Sequence, residues 1–320
     1  MKKFTTTCLA GFLWAGCAMA QGALPNGTRN AALRYWQAFS ELKDEQTDKA
    51  TRELLEKTVS GAAPWNEESL GKILNANLHA IQILQKATKL PECDWGLEAS
   101  SDEPTGFLMK ARALARLNTL QGVRLAAKGD STGAVNAWLA GVKFSQDLSK
   151  GGTLIFALVG RAALLSDLDA LTRAGEAGSL DARSRNLALE ALNSLPPTGF
   201  DWGRTWETES VFIDTGWQDI LKSGNPKAKY KELMNEDLAR GSRLPTNTEL
   251  EAFRKFMGEV AKALTLPPSD TRTSLASLRE RIKTLNPLLQ NVIPSFEKVN
   301  GQREEVQVAR GKAIKTLIAQ

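Results

Sequence analysis

Glu209 is the residue whose surroundings in the sequence most readily suggest chemistry. Trp202, Trp206, Ile213 and Trp217 recur at spacings of four, seven and four, so they share one face of a helix, and Glu209 follows Trp202 by seven residues beside that face. A carboxylate packed among indoles loses water, its pKa rises, and it becomes a general acid of the kind glycan cleavage requires. The same spacing also describes a packed core in which Glu209 pairs with Arg204 or Arg161. Both readings stay open at the level of sequence. Glu209 is thus the candidate catalytic residue, and Trp202, Trp206, Trp217 and Arg204, with Trp95 from an earlier loop, are the candidate binding residues.

The run Glu209-Ser210-Val211-Phe212 resembles the Glu-Ser-x-Phe start of the lytic transglycosylase active site. That resemblance implies Glu209 as the catalytic acid of a cell-wall glycan-cleaving enzyme. The family also needs a downstream Gly-Leu-Met-Gln stretch to shape its sugar groove, and Thr215-Gly216-Trp217-Gln218 does not supply it. Two-carboxylate chemistry would call on a partner such as Asp214 or Asp219. Other sites find less support. His79 is the only histidine, so a two-histidine metal site is excluded, and no G-x-S-x-G elbow accompanies it. Gly151-Gly152-Thr153 lacks the lysine and spacing of a phosphate-binding loop, and no cofactor is expected.

Lys2 and Lys3 precede an apolar stretch over residues 4–20 that ends in Ala18-Met19-Ala20, the small-x-small pattern of a signal-peptidase site. Cleavage after Ala20 would leave Gln21 as the mature start and send the chain to the periplasm or outside the cell. Ala15-Gly16-Cys17 also resembles the end of a lipobox, with Trp14 where that motif has Leu, so lipid attachment at Cys17 is the alternative. Cys8 and Cys17 leave with the leader. Cys93 then has no partner for an internal disulfide and reads as a small, buried side chain rather than a nucleophile. Of 41 basic residues 39 remain against 36 acidic ones, a net +3 with no block of like charge, which points to neither nucleic acid nor a lipid surface.

Helical spacing recurs almost everywhere and strand alternation almost nowhere, so the fold class is all-α, with packed antiparallel hairpins in an irregular solenoid-like or orthogonal array. Ala32, Tyr35, Trp36 and Phe39 form one stripe, Leu54, Leu55 and Val59 continue that pattern until Gly61 and Pro64 end the element, and Leu70, Ile73, Leu74, Leu78, Ile81 and Leu84 form the next helix, stopping near Pro91. Residues 91–105 carry no period, and Trp95 is expected to anchor that loop. Residues 107–148 read as two helices about Gly129-Asp130. Gly122, Gly129-Asp130, Ala134, Trp138 and Gly141 give this hairpin a resemblance to one tetratricopeptide unit, over about residues 115–148. Asn118 stands at that family's usual Trp and Gln121 at its Leu, and no adjacent window repeats the pattern.

Residues 153–159 are the most apolar mature stretch, interrupted by Arg161, and predict a buried central helix. Asp181 starts the next helix and Pro196-Pro197 ends it, the best internal boundary. The domain reading is residues 1–20 as leader, 21–195 as an amino-terminal helical region, 196–300 as a carboxy-terminal one, and 301–320 as a terminal amphipathic helix that packs at an edge or frays. Further helices are expected near 201–222, 228–239, 248–264 and 270–290. The chain as a whole resembles secreted helical proteins of bacteria. The functional expectation is a periplasmic module that binds a protein or peptide, with no nucleic-acid partner and no stable membrane insertion after cleavage. The alternatives are the glycan-cleaving enzyme and a carrier whose Trp pocket holds an apolar or sugar ligand.

Overall fold

Most helix starts among the described residues are fixed by short polar side chains. Asn30, Asp48, Asn66, Asp130, Asp181 and Asp201 each accept a hydrogen bond from an amide of the turn that follows, satisfying a donor the helix cannot pair internally. The structure is a computed structural model that describes residues 29–43, 48–97 and 105–320. The expected leader, with Cys8 and Cys17, lies outside the described residues. The first seven helices are α1 (Ala31–Glu41), α2 (Lys49–Val59), α3 (Glu67–Ala87), α4 (Phe107–Ala127), α5 (Ser131–Ser149), α6 (Leu154–Glu176) and α7 (Ala182–Ser194). They are followed by α8 (Trp202–Lys222), α9 (Pro226–Met234), α10 (Asn247–Ala263), α11 (Pro268–Ile282), α12 (Pro287–Val292) and α13 (Phe296–Ile318). The fold is all-α, and no β-strand occurs among the described residues.

Packing in the first half arranges the helices in two layers. α2, α4 and α6 lie side by side, and α3, α5 and α7 lie side by side behind them, with α1 against α3. Close approach is set by small residues. A Cβ at Gly122 of α4 would fall inside the Trp138 indole of α5, and Trp138 Nε1 donates to the Thr119 carbonyl at 3.2 Å. Asn118 donates to the Ala137 carbonyl at 2.7 Å and accepts from Gln85 at 3.0 Å, so one buried amide joins α3, α4 and α5.

Two cores meet on α6. Phe156 and Ala163 belong to an amino-terminal core with Tyr35, Phe39, Trp95, Phe107 and Phe144. Leu164, Leu168 and Leu171 belong to a second core with Trp202, Trp206, Phe253 and Phe296. The second core begins with Ala134 on α5 and runs to Leu317, so apolar packing crosses Pro196-Pro197 without a break.

Four boundaries differ from expectation. The element expected to run from Ala32 to Val59 is two helices, α1 ending at Glu41 and α2 starting at Lys49. α6 runs straight through Arg161 because that guanidinium leaves the apolar face to pair with Glu305 of α13. The helix expected over 228–239 ends at Met234, where Asn235 turns left-handed at φ 54°. The segment 270–290 divides, α11 ending at Ile282 and Pro287 opening α12. The last helix does not fray. α13 buries Val306, Ala313 and Leu317 and packs along α6 and α7, with Arg310 donating to the Leu192 carbonyl at 2.8 Å.

Asp167 of α6 is fully buried where α6 meets α4 and α5, and only a glycine at 141 leaves room for its carboxyl. Burial pushes that carboxyl well above the usual carboxylate range, a rise the Thr119 hydroxyl opposes. Thr119 Oγ1 lies 2.7 Å from Asp167 Oδ1 and 3.1 Å from the Ala115 carbonyl oxygen, yet it has one proton to give. A neutral Asp167 removes the conflict, since its own proton can face Thr119 while Thr119 serves Ala115.

With the folded pKa raised, the stabilising contribution is complete below the ordinary carboxylate range and is lost as pH rises through the folded value. Asp167→Asn retains a donor for Thr119 and has nothing to ionise. Its stability relative to wild type is expected to grow between pH 4 and 7 by up to about 1.4 kcal/mol per pH unit, measured by urea unfolding. Parallel curves for the two proteins would exclude a neutral Asp167.

Candidate functional site

Glu209 lies on α8, half-buried, and faces the start of α6. Thr153, the residue before α6, makes no side-chain capping bond. Glu209 Oε2 takes that role from 55 positions away in sequence, accepting from the Leu154 amide at 2.8 Å. Burial raises the Glu209 pKa, and the bond from Leu154 opposes the rise. The two arginines expected as ion partners are elsewhere. Arg161 pairs with Glu305, and Arg204 is exposed without an ion pair among the described residues. Asp214, the possible second carboxylate, pairs with Arg254 at 2.9 Å, and Asp219 is exposed.

The three indoles of α8 are packed inside the protein. Trp202 is 1% exposed, Trp206 0% and Trp217 1%, so their faces meet side chains such as Phe200, Phe296 and Tyr230 rather than solvent. Trp95 sits in the other core, stacked on Tyr35 and Phe39, and its Nε1 donates to the Asp147 carbonyl at 2.8 Å. The four rings therefore do not converge on one cavity. Arg204 lines a pocket of about 220 Å³ with Lys150, Thr205 and Thr208, and Glu209 is not among its lining residues.

Beside Trp95, Asp147 is fully buried and ties several elements together. Its carboxylate accepts from Tyr35 Oη at 2.9 Å and pairs with Lys143 and Lys150. Cys93 donates to the same residue's carbonyl at 3.8 Å, and burial pushes its thiol up to about 12. A thiol held that high carries almost no thiolate at neutral pH and is a poor nucleophile. His79 is exposed on α3, and no group of His, Cys, Asp or Glu among the described residues has metal-binding geometry.

A further concave feature lies elsewhere, over the layer of α2, α4 and α6. It encloses about 430 Å³. Val59, Ala115, Val159 and Ala163 give it an apolar floor, while Arg112, Arg116, Glu56 and Asp169 stand around it. Arg116 pairs with Glu56 at 2.6 Å across α4 and α2. Arg173 pairs with Asp169 of this lining and donates to the Ser60 carbonyl at 3.0 Å and the Val59 carbonyl at 2.8 Å, holding α2 to α6. Arg116 has its pKa lowered by burial and by Arg112, with Glu56 opposing. None of these groove residues stood out in the sequence as part of a site, Val59 being read only as apolar packing. The available signal was a pair of arginines four apart on the polar side of α4, a pattern shared by many solvated helices.

Comparison with protein-family models, with curated proteins and with solved structures gives no match. No helix among the described residues is long and apolar enough to cross a membrane.

The cap offered by Glu209 is open to a direct test. Glu209→Ala leaves the Leu154 amide without its acceptor and is expected to cost about 1 kcal/mol in chemical unfolding. Glu209→Gln retains a carbonyl acceptor and should lose less than half as much. Equal losses for both would show that the hydrogen bond to α6 contributes nothing.

Proposed function

We propose that this chain is an exported, periplasmic or secreted helical module whose groove over α2, α4 and α6 binds a segment of another protein or a peptide. The observation that carries the reading is the groove itself: about 430 Å³, walled by three neighbouring helices, apolar at its floor and ringed by charge. A groove of this volume suits a few side chains of an extended or helical segment. Its walls are helices in firm contact with a second layer, so the surface is already formed before a ligand arrives and little ordering is lost on binding. The resemblance of residues 115–148 to a tetratricopeptide unit supports the same reading. In that hairpin Gly122 lies against Trp138, and the first helix of the hairpin lines the groove, the arrangement in which helical-repeat proteins present a concave face.

The glycan-cleaving alternative draws on the raised pKa of Glu209. It requires that carboxyl to be free to protonate a leaving group, whereas Oε2 is engaged by the Leu154 amide. A peptidoglycan-release assay on wild type and Glu209→Gln separates the two. The binding module predicts equal, background-level release from both, and release that is lost in Glu209→Gln would establish the enzyme instead.

Ala162 is exposed on the groove wall, where a tryptophan can be accepted without displacing the core. Octapeptides selected from a bead-bound library by the processed, full-length chain are expected to bind Ala162→Trp at least tenfold more weakly, with helicity by circular dichroism unchanged. Selected peptides that bind both proteins equally, or a library that yields none, would remove the groove as the binding surface.

A further inference from the structure

We infer that the segment taken up by this groove carries a carboxylate, and that Arg112 is the group that reads it. The inference rests on the groove being the binding surface. Two guanidinium groups, Arg112 and Arg116, and two carboxylates, Glu56 and Asp169, line it, and both carboxylates already have an arginine partner. Glu56 is taken by Arg116 and Asp169 by Arg173. Arg112 is exposed and has no ion pair among the described residues, so one positive charge on the groove is left without a counter-charge.

Arg112 and Arg116 stand one turn apart on α4, and their repulsion is part of what lowers the Arg116 pKa. A ligand carboxylate between them relieves that repulsion. A guanidinium also offers a planar fork of donors that matches a carboxylate in two hydrogen bonds, which neither the hydroxyls nor the amides of this groove can do.

The surroundings define what accompanies the carboxylate. Met109 precedes Arg112 by three residues on α4, and Ile155 precedes Val159 by four on α6, so helical spacing sets both on the stripes that form the groove walls. Met109 is 68% exposed and Ile155 44%, two large apolar side chains left open to solvent. The step from Met109 to Arg112 along a helix axis is about 4.5 Å, roughly one peptide unit of an extended chain. The expected ligand is therefore a segment in which an apolar side chain lies next to a carboxylate, either a chain terminus or an Asp or Glu side chain.

The probe is the octapeptide library, made once with free carboxyl termini and once amidated, and presented to wild type, Arg112→Gln and Arg112→Lys. Wild type should enrich carboxylate-bearing peptides. Enrichment of Asp or Glu that persists in the amidated library assigns the carboxylate to a side chain, and enrichment confined to the free library assigns it to a terminus. Arg112→Gln should bind the selected peptides about tenfold more weakly and lose the acidic preference, while Arg112→Lys should keep part of both. Thermal unfolding of the three proteins should coincide, since Arg112 has no pair to lose.

If Arg112→Gln binds acidic peptides as wild type does while Ala162→Trp does not, the groove stands and the assignment of Arg112 falls. Enrichment of peptides without carboxylates by wild type would have the same meaning. Failure of both substitutions to weaken binding would overturn the groove as well.

Discussion

Phe156 and Ala163 point from α6 into the amino-terminal core while Leu164, Leu168 and Leu171 point from the same helix into the carboxy-terminal one, so the rest of the fold has to enclose α6 from several sides at once. α4 and α5 cover it on one flank, α13 on another, and α8 reaches its first turn. A helix enclosed in this way cannot be amphipathic, and α6 is apolar around much of its circumference. Its few polar groups must then be satisfied by other elements. Arg161 meets Glu305 of α13, Asp167 meets Thr119 of α4, the Leu154 amide meets Glu209 of α8, and Arg173 meets the last carbonyls of α2.

Each of those polar links joins α6 to a different helix, and each is directional where apolar burial is not. Hydrophobic contact tolerates sliding, but a carboxyl that fits only over Gly141, or an amide that must find Glu209, fixes one register. Asp147 does the same for the amino-terminal core, where a single residue holds Tyr35, Trp95, Cys93 and two lysines. With one cysteine in the expected mature chain, packing and these buried polar contacts are what hold the helices in place.

The groove is a by-product of the same arrangement. Because α2, α4 and α6 lie in one layer and turn their apolar faces to the helices behind, their outer faces form a continuous concave wall. Arg173 anchors α2 to α6. Of the charged groups that line the groove, Arg112 has no ion pair among the described residues.

Much of the fold was legible from residue spacing. Apolar positions every three to four residues, with Gly, Asp or Pro between them, located α3 to α8 closely, because these features act within one or two turns of backbone, whereas the break between α1 and α2 was missed. The shortened α9 and the divided α11 and α12 depend on single turns and were blurred. Spacing also set Trp202, Trp206 and Trp217 on one face, but a face made of indoles describes a core and a ligand pocket equally well. Their burial, the engagement of Glu209 with α6 and the separation of Trp95 into the other core were decided by which helices became neighbours. The sequence by itself determined that helices form and which side of each is apolar, since those are local consequences of side-chain volume, hydration and backbone geometry. Only the tertiary structure decided that Arg112, Arg116, Glu56 and Asp169 share one groove, because residues more than 50 positions apart are brought together by helix packing that no local pattern encodes.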